Sequence, residues 1–516
     1  VTILKFKFVW LAIFILVLTI TVFSAKTAEN TFTGYWEGEN ISSNNNQKYP
    51  AKIIINLLEE QPNVFYWGGD FKIPMTGIKD ETKLYLTTTI QGYTFNATYT
   101  LDKMADNRLK GEIVRISPTG TVESRTGSFN RFATDQIGWG LDIDYLKKTL
   151  PKKHLDLFFK VSEEDFNNAC DELMEKADFL SPTEVFLGIK EILALVDDPH
   201  TEIFGYNNYR KYYYPFYFRK TGQDYYLFAT TDACKDLLGA KLISIGGKEL
   251  PEILQKLERI IPAQNTIAVA FNAQEFLNSP LALAYCGVVD GKNERFVVEK
   301  DGERFEITPK KLTASEFKQN IIQLEWTPSL AEKRTDENFF YEYFEEDAIL
   351  YFQYNRCQDN TQPGQPKFFK IQSDLINLLN TKKVKKFVVD LRYNSGGNSI
   401  YGTMLSQAIQ TINTDADIYV IVGNKTFSSA IINTMDFKNN CNATIIGEPT
   451  TSGANHYGEL GSFILPNLKL PVYYSTKYFK NSEDDSSFIE PDILIYRTFD
   501  DFISGVDTVF EAIKTF

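Results

Sequence analysis

Histidine is the scarcest chemistry-bearing residue of this chain, with three in 516 positions: His154, His200 and His456. No pair of them stands at a metal-binding spacing, and neither HExxH nor CxxC occurs, so a metal centre finds no support. A Walker or Rossmann glycine loop is also missing, and no cofactor is expected. Cysteine is sparse too. Cys170, Cys234, Cys286, Cys357 and Cys441 are scattered along the chain. Most sit beside apolar residues and read as small buried hydrophobes, and the odd number leaves at least one thiol unpaired. Positive charge is in deficit: 54 Lys and Arg against 67 Asp and Glu give a net charge of -13. The acidic residues are spread along the chain, which argues against nucleic acid as a partner.

Only one long apolar run is present. Lys5 and Lys7 precede Phe8 to Phe23, and Ser24-Ala25 follow. A charged start, an apolar stretch and small residues describe a secretion signal over residues 1–25. The other reading is an uncleaved anchor, for which the run is a little short. The expected location is secreted or extracytoplasmic, with membrane association only if this segment is retained.

A chain of this length exceeds one core, so several domains are expected. Residues 31–134 hold short runs rich in Tyr, Phe, Thr, Ile and Val between turn clusters. They predict an antiparallel barrel or sandwich of about seven to eight strands. Residues 139–205 show apolar positions at helical spacing, and the last of these helices leads to Asp198-Pro199-His200-Thr201. Residues 209–312 return to mixed β structure with one helix. Residues 340–516 alternate hydrophobic strands with helical stretches, the pattern of an α/β layered sheet. The fold class is therefore α/β and multidomain.

Two runs in that last segment carry the chemistry. Val388 to Gly397 (VVDLRYNSGG) reads as a buried strand ending in a glycine turn. Tyr419 to Gly447 reads as a strand, a small-residue turn with Ser428 and Ser429, and an amphipathic helix. A serine at a strand-to-helix turn lies where helix-end N–H groups favour negative charge. A glycine turn beside it supplies the second donor of an oxyanion hole, from Gly396 or Gly397. The bland reading of such a serine is a helix N-cap. Asp390 and Arg392 read as structural anchors of the turn, and Asn394 as the side chain that fixes it. His154, among lysines, reads as solvated.

DLRYNSGG resembles the DLRxNxGG signature of the C-terminal-processing (tail-specific) serine peptidases, whose relatives include the tricorn core protease. TFSSA resembles their nucleophile segment, and LVDDPHTEIF, GAKLISIGGKEL and IEPDILIY resemble further motifs, so that the likeness spans about residues 139 to 516. The resemblance implies a PDZ-like α+β domain over 209–312, without an evident carboxylate-binding loop, and a ClpP/crotonase-like core over 340–516. It implies Ser428 as nucleophile and Ser429 N–H as an oxyanion donor. In the Ser-Lys branch a lysine serves as base, but Gly453 stands at its position here. The tricorn-type branch uses an upstream histidine, which matches His200 in DDPHT, with His456 as the alternative base or a substrate contact. The orienting acid, by a count back from Pro491, is Asp485, with Glu483 and Asp484 beside it. Glu490 and Asp492 read as structural.

The expected function is that of a secreted serine-type peptidase acting on peptides or unfolded protein through an acyl-enzyme with a histidine base. The alternative is a ligand- or peptide-binding protein on a peptidase-derived scaffold, since fold alone does not settle activity.

Overall fold

The computed structural model describes residues 34–44, 47–56, 63–68, 71–79, 83–90, 92–101, 108–131, 138–412 and 414–516. Residues 1–25, expected to be a secretion signal, lie outside them. Among the described residues no helix is long and apolar enough to cross a membrane, and all five cysteines are free thiols, three of them buried. The described residues divide into two compact units. One holds those up to Leu146 together with Leu465–Lys469, and the other holds Lys147–Ile464 and Leu470–Phe516.

The first unit is built on eight antiparallel strands: β1 (Gly34–Ser42), β2 (Lys48–Asn56), β3 (Asn63–Gly68), β4 (Phe71–Lys79), β5 (Lys83–Ile90), β6 (Tyr93–Leu101), β7 (Arg108–Ile116) and β8 (Val122–Arg131). Each pairs with its sequence neighbour, and β8 returns to β1, closing a barrel. The alternation in β5 shows why: Leu84 and Leu86 face inward while Lys83, Tyr85 and Thr87 face out. Trp36, Ile53, Leu84, Tyr99, Leu109 and Phe129 fill the interior. Closure leaves no unpaired strand edge. In the same unit Asp142 is buried and accepts the backbone N–H groups of Asn467 and Leu468. Burial raises its carboxyl to about 7 despite those donors.

In the second unit the segment after residue 147 is helical. The first unit's chain enters it along α1 (Gly138–Lys153), followed by α2 (Glu163–Lys176) and α3 (Pro182–Ala194). Ser181 and Glu184 form a capping box ahead of α3, with Pro182 at its first turn. Next comes an antiparallel sheet of β9 (Phe216–Thr221), β10 (Asp224–Thr231), β11 (Lys241–Ile245), β12 (Phe296–Lys300) and β13 (Glu303–Ile307), in that order. The sheet takes a further strand from Ile321–Gln323, past residue 312.

The C-terminal sheet positions the site. Its order is β14 (Phe339–Phe344), β15 (Ile349–Tyr354), β16 (Lys386–Asp390), β17 (Asp417–Val422), β18 (Thr444–Gly447) and a short strand at Ile493–Leu494. Only β14 is antiparallel to its neighbour. Both faces are covered, so the strands are apolar throughout. Leu350, Phe352, Val389 and Val420 pack on the helices Phe368–Thr381, Ile400–Ile412 and Ser429–Cys441, whereas Tyr351, Val388 and Ile421 pack on the helix Thr508–Thr515. A β-hairpin of His456–Ile464 and Pro471–Phe479 stands apart from this sheet.

Among the described residues the barrel's core is drawn from barrel strands, and about 100 residues are enough to bury one. Residues 31–134 expressed alone should therefore give a cooperative thermal transition and dispersed amide resonances. A segment that remains unfolded would show that the barrel relies on the rest of the chain.

Candidate active site

The parallel strands β16 and β17 both end at the same edge, where open α/β sheets form their clefts. Asp390 closes β16 with 1% exposure. It accepts from Tyr351 Oη at 2.6 Å and from Arg392 Nε at 2.9 Å, while Arg392 Nη1 reaches Asp507 at 2.7 Å. This buried network directs the chain into Tyr393-Asn394-Ser395-Gly396-Gly397. Asn394 is fully buried. Its Nδ2 donates to Tyr354 O at 2.8 Å, and its Oδ1 accepts from Gly396 N at 2.9 Å. The Gly396 N–H is thus committed within the turn. The Gly397 N–H has no acceptor among the described residues, because the bridge to Cys357 uses Gly396 O and Asn398 N instead.

The turn after β17 is tied to the first. Thr426 Oγ1 donates to Leu391 O at 2.9 Å, and Phe427 N donates to Asn394 O at 3.1 Å. Ser429 Oγ donates to Gly397 O at 2.7 Å. Ser428 then sits at φ 54°, ψ -124° and makes no side-chain cap to its helix. A positive φ at a non-glycine residue is strained, and strain of this kind collects at functional sites. Gly396, at φ 107°, permits the close approach: a Cβ there would lie 2.8 Å from Ser428 Cβ and 3.1 Å from Ser429 N. Ser429 opens the helix, so its N–H is one of the helix-end donors without an intrahelical partner.

His200 is reached by a different route. After α3 the chain turns at Asp197, at φ 62°, and is pinned to the hairpin by Tyr473 N to Glu202 O at 2.9 Å. Asp198 is the hub of this turn. Fully buried, it takes the Ser475 hydroxyl at 2.6 Å, the Thr201 hydroxyl at 2.7 Å, the His200 N–H at 3.0 Å and His154 Nε2 at 3.1 Å. Burial on its own raises a carboxyl, but here the hydrogen bonds from His154, Ser475 and Thr201 and the nearby His200 ring hold Asp198 below its usual range. The His200 ring stacks on Phe427, the residue before Ser428, at 4.4 Å between centroids, with His456 parallel at 5.7 Å on the ring network. His200 Nδ1 lies 3.8 Å from Asp198 Oδ1, and neither ring nitrogen has a hydrogen-bond partner among the described residues. Burial pushes the imidazole down to about 4; Asp198 pulls upward, and His456 adds to the fall.

The structure therefore gathers Ser428, Ser429, Gly396, Gly397 and His200 around two adjoining turns. His456 is also close. It is buried, its Nδ1 pairs with Gly453 O at 3.2 Å, and burial lowers its pKa. Gly453 explains the missing lysine in physical terms: a Cβ at this position would stand 2.2 Å from Ser486 O, so a side chain has no room. Asp485 is on an exposed loop, where Oδ1 accepts from Asn455 Nδ2 at 2.6 Å. No hydrogen bond or ion pair joins it to His200 among the described residues. Asp492 accepts Ile445 N at 2.9 Å and pairs with Lys438 at 3.0 Å. His154 corrects the sequence expectation of a solvated residue. The end of α1 turns inward, and its side chain is enclosed against Asp198. Asp198 and Ser475 received no role from sequence. The one available signal was Asp198 lying within the DDPHT motif itself.

Two joined cavities flank these turns. One, of about 810 Å³, is lined by Pro199, Ile203, Phe271, Phe276, Ser395 and Phe427 among others. The other, of about 1080 Å³, shares Arg219, Tyr393, Asn424 and Lys425 with it and extends along β9.

No protein-family model and no curated protein sequence matches the chain. Solved structures do. Mature CPAF complexed with lactacystin aligns at 12% identity and a TM-score of 0.50, covering 73% of this chain and 97% of that one. The chain has a CPAF-like fold. The tricorn protease aligns over 92% of this chain and 59% of its own at 11% identity and TM-score 0.35. The photosystem II D1 C-terminal processing protease aligns over 70% and 94% at 13% identity and TM-score 0.33. The CPAF-like fold agrees with the motif resemblance to tail-specific peptidases, and at this identity it bears on the fold alone.

The desolvated His200 has a consequence for stability. Above about pH 6.5 the ring is neutral whether the chain is folded or not. As pH falls from 6.5 toward 4, the unfolded chain binds a proton that the native state refuses. Native stability should drop across that window, by about 3 kcal/mol at its lower end. Urea unfolding of wild type and His200→Gln between pH 7 and 4 measures this. The variant should lose that part of the pH dependence, and parallel curves would contradict it.

Proposed function

We propose that the protein is a serine-type peptidase that cleaves peptide bonds through an acyl-enzyme on Ser428. The observation that carries this reading is the stacking of His200 on Phe427, which places a neutral imidazole against the strained turn bearing Ser428. Ser428 Oγ attacks the substrate carbonyl carbon while His200 takes its proton. The oxyanion that forms accepts hydrogen bonds from Gly397 N–H and Ser429 N–H. Gly396 supplies the space for it rather than a donor, since its own N–H is given to Asn394. The imidazolium returns the proton to the leaving amine, and water, activated by the same ring, hydrolyses the ester. Asp198 is the carboxylate that stabilises the imidazolium, in the place that counting along the sequence gives to Asp485. His154, Thr201 and Ser475 keep it ionised and oriented.

A second reading, a binding protein on the same scaffold, draws on one feature. The 3.8 Å from His200 Nδ1 to Asp198 exceeds a hydrogen bond, so catalysis requires the ring to move toward the carboxylate. Export before action, as the N-terminal segment suggests, belongs with this proposal.

Ser428→Ala should abolish peptide hydrolysis and labelling by a serine-directed phosphonate while the fold persists. His200→Ala should lower turnover by on the order of 10⁴-fold. Full activity in Ser428→Ala with loss in Ser429→Ala moves the nucleophile by one residue. An active His200→Ala with an inactive His456→Ala moves the base. If wild type neither turns over peptides nor takes the phosphonate, the binding reading stands.

Gly396→Ala tests the oxyanion space separately. The added methyl meets Ser428 Cβ and Ser429 N, so kcat should fall by about 10²-fold or more, as for loss of an oxyanion donor, with KM changed little. An unimpaired kcat would place the oxyanion elsewhere.

A further inference from the structure

Three buried imidazole nitrogens stand unpaired beside the Ser428 turn. His200 is 6% exposed and His456 1%. Among the described residues, His200 Nδ1, His200 Nε2 and His456 Nε2 have no hydrogen-bond partner. The protons on these rings follow from their neighbours. Gly453 O can only accept, so the His456 proton is on Nδ1, 3.2 Å from it, and Nε2 carries a lone pair. The Asp198 carboxylate lies 3.8 Å from His200 Nδ1 and favours the proton there, so His200 Nε2 carries a lone pair as well. The rings are parallel to within 10°, with centroids 5.7 Å apart. Two lone pairs cannot bond to each other. A single group that satisfies both must donate two hydrogens from one atom, and water is the smallest that does. Two hydrogen bonds of about 3 Å each reach across a separation of this size.

Room for such a group comes from the hairpin strand His456–Ile464. His456 and Gly458 are two positions apart on it and share a face. A Cβ at buried Gly458 would stand 3.7 Å from His200 Nε2 and 3.2 Å from Phe479 Cε2. Glycine thus leaves room of methyl size beside His200 Nε2. The Phe479 ring, 5.6 Å from that of His456, walls it.

We propose that His456 is a second catalytic histidine, which holds the water that hydrolyses the acyl-enzyme: the water donates one hydrogen to His200 Nε2 and the other to His456 Nε2. The inference rests on the peptidase reading and deepens its second half. The water oxygen bonds to the acyl carbon as its first hydrogen passes to His200 Nε2. The bond from that carbon to Ser428 Oγ then breaks, and His200 returns the proton to Oγ. The second hydrogen leaves on the carboxylic acid product, and His456 ends as it began. Acylation needs no second acceptor, because the Ser428 hydroxyl has a single hydrogen to give. His456 therefore acts in one half of the reaction.

The test uses the full chain and p-nitrophenyl acetate, an activated ester that bypasses peptide preference. Rapid-quench mass spectrometry follows the acetyl group on Ser428 as it forms and as it is lost. His456→Phe keeps a ring but removes the acceptor. Its acetylation should match wild type, and its loss of acetyl should slow by about tenfold or more, the worth of one hydrogen bond. Acetyl-enzyme should accumulate, and kcat and KM should fall together with kcat/KM unchanged. Gly458→Ala puts a methyl group where the water binds. It should give the same split from a different residue, and it decides the matter if His456→Phe does not fold. His456→Gln restores an acceptor oxygen and should deacylate faster than His456→Phe. Formation and loss slowed alike, or loss at the wild-type rate, overturns the proposal and leaves the peptidase reading intact. A wild type that takes no acetyl group on Ser428 overturns both.

Discussion

The arrangement around His200 depends on one buried carboxylate. Asp198 has no exposure and four donors, drawn from the end of α1, from its own turn and from the hairpin strand Pro471–Phe479. An unpaired carboxylate in that position would cost several kcal/mol. The donors offset this only if all three elements hold their places together. Thus one ion sets the position of the His200 backbone, through its N–H, and of the field that the His200 ring experiences. Removing the charge leaves four donors facing each other. Removing a donor leaves the charge short of partners. Either change moves the ring that stacks on Phe427.

The nucleophile side rests on a different device. Ser428 occupies a backbone conformation that is unfavourable for any residue with a Cβ. The strain is held by cross-links between two strand-end turns: Thr426 to Leu391, Phe427 to Asn394, and Ser429 to Gly397. Asn394 serves both turns, since it satisfies Gly396 N–H with its side chain and Phe427 N–H with its carbonyl. The two turns therefore cannot move independently. This is why a helix-start serine that lacks a capping bond keeps its place, and its hydroxyl has no hydrogen-bond partner among the described residues.

Much of this was legible in the sequence wherever the governing physics is local. The strand runs of residues 31–134 fall where alternating side chains meet turn clusters, and the DLRYNSGG and TFSSA turns follow fully apolar strands. Asn394 fixing a glycine turn is also a local matter. The rest depends on distance in space. His154 has lysine neighbours on its helix, so its surroundings look solvated, but the carboxylate that encloses it is 44 positions away. A count back from Pro491 points to Asp485. The loop there is instead folded around Asn455, which takes Asn481 N, Ser482 N and Asp485 into one cluster. Counting along a chain says nothing about where such a loop points. Asp198 sat in a motif beside His200, and its role came into view only with the donors that converge on it.

Charge shows the same separation between composition and place. A net charge of -13 suggests a molecule that repels anions, and at long range it does. Salt screens that repulsion, since the Debye length is about 8 Å at physiological ionic strength. Inside the larger cavity the balance is inverted: seven lysines and arginines line it against three glutamates, of which Glu332 is held by Arg219 and Arg497. Contacts made there are shielded from bulk ions and are screened far less. The sign of the whole chain therefore does not set the field beside the Ser428 turn, which follows from the side chains that line the cavity.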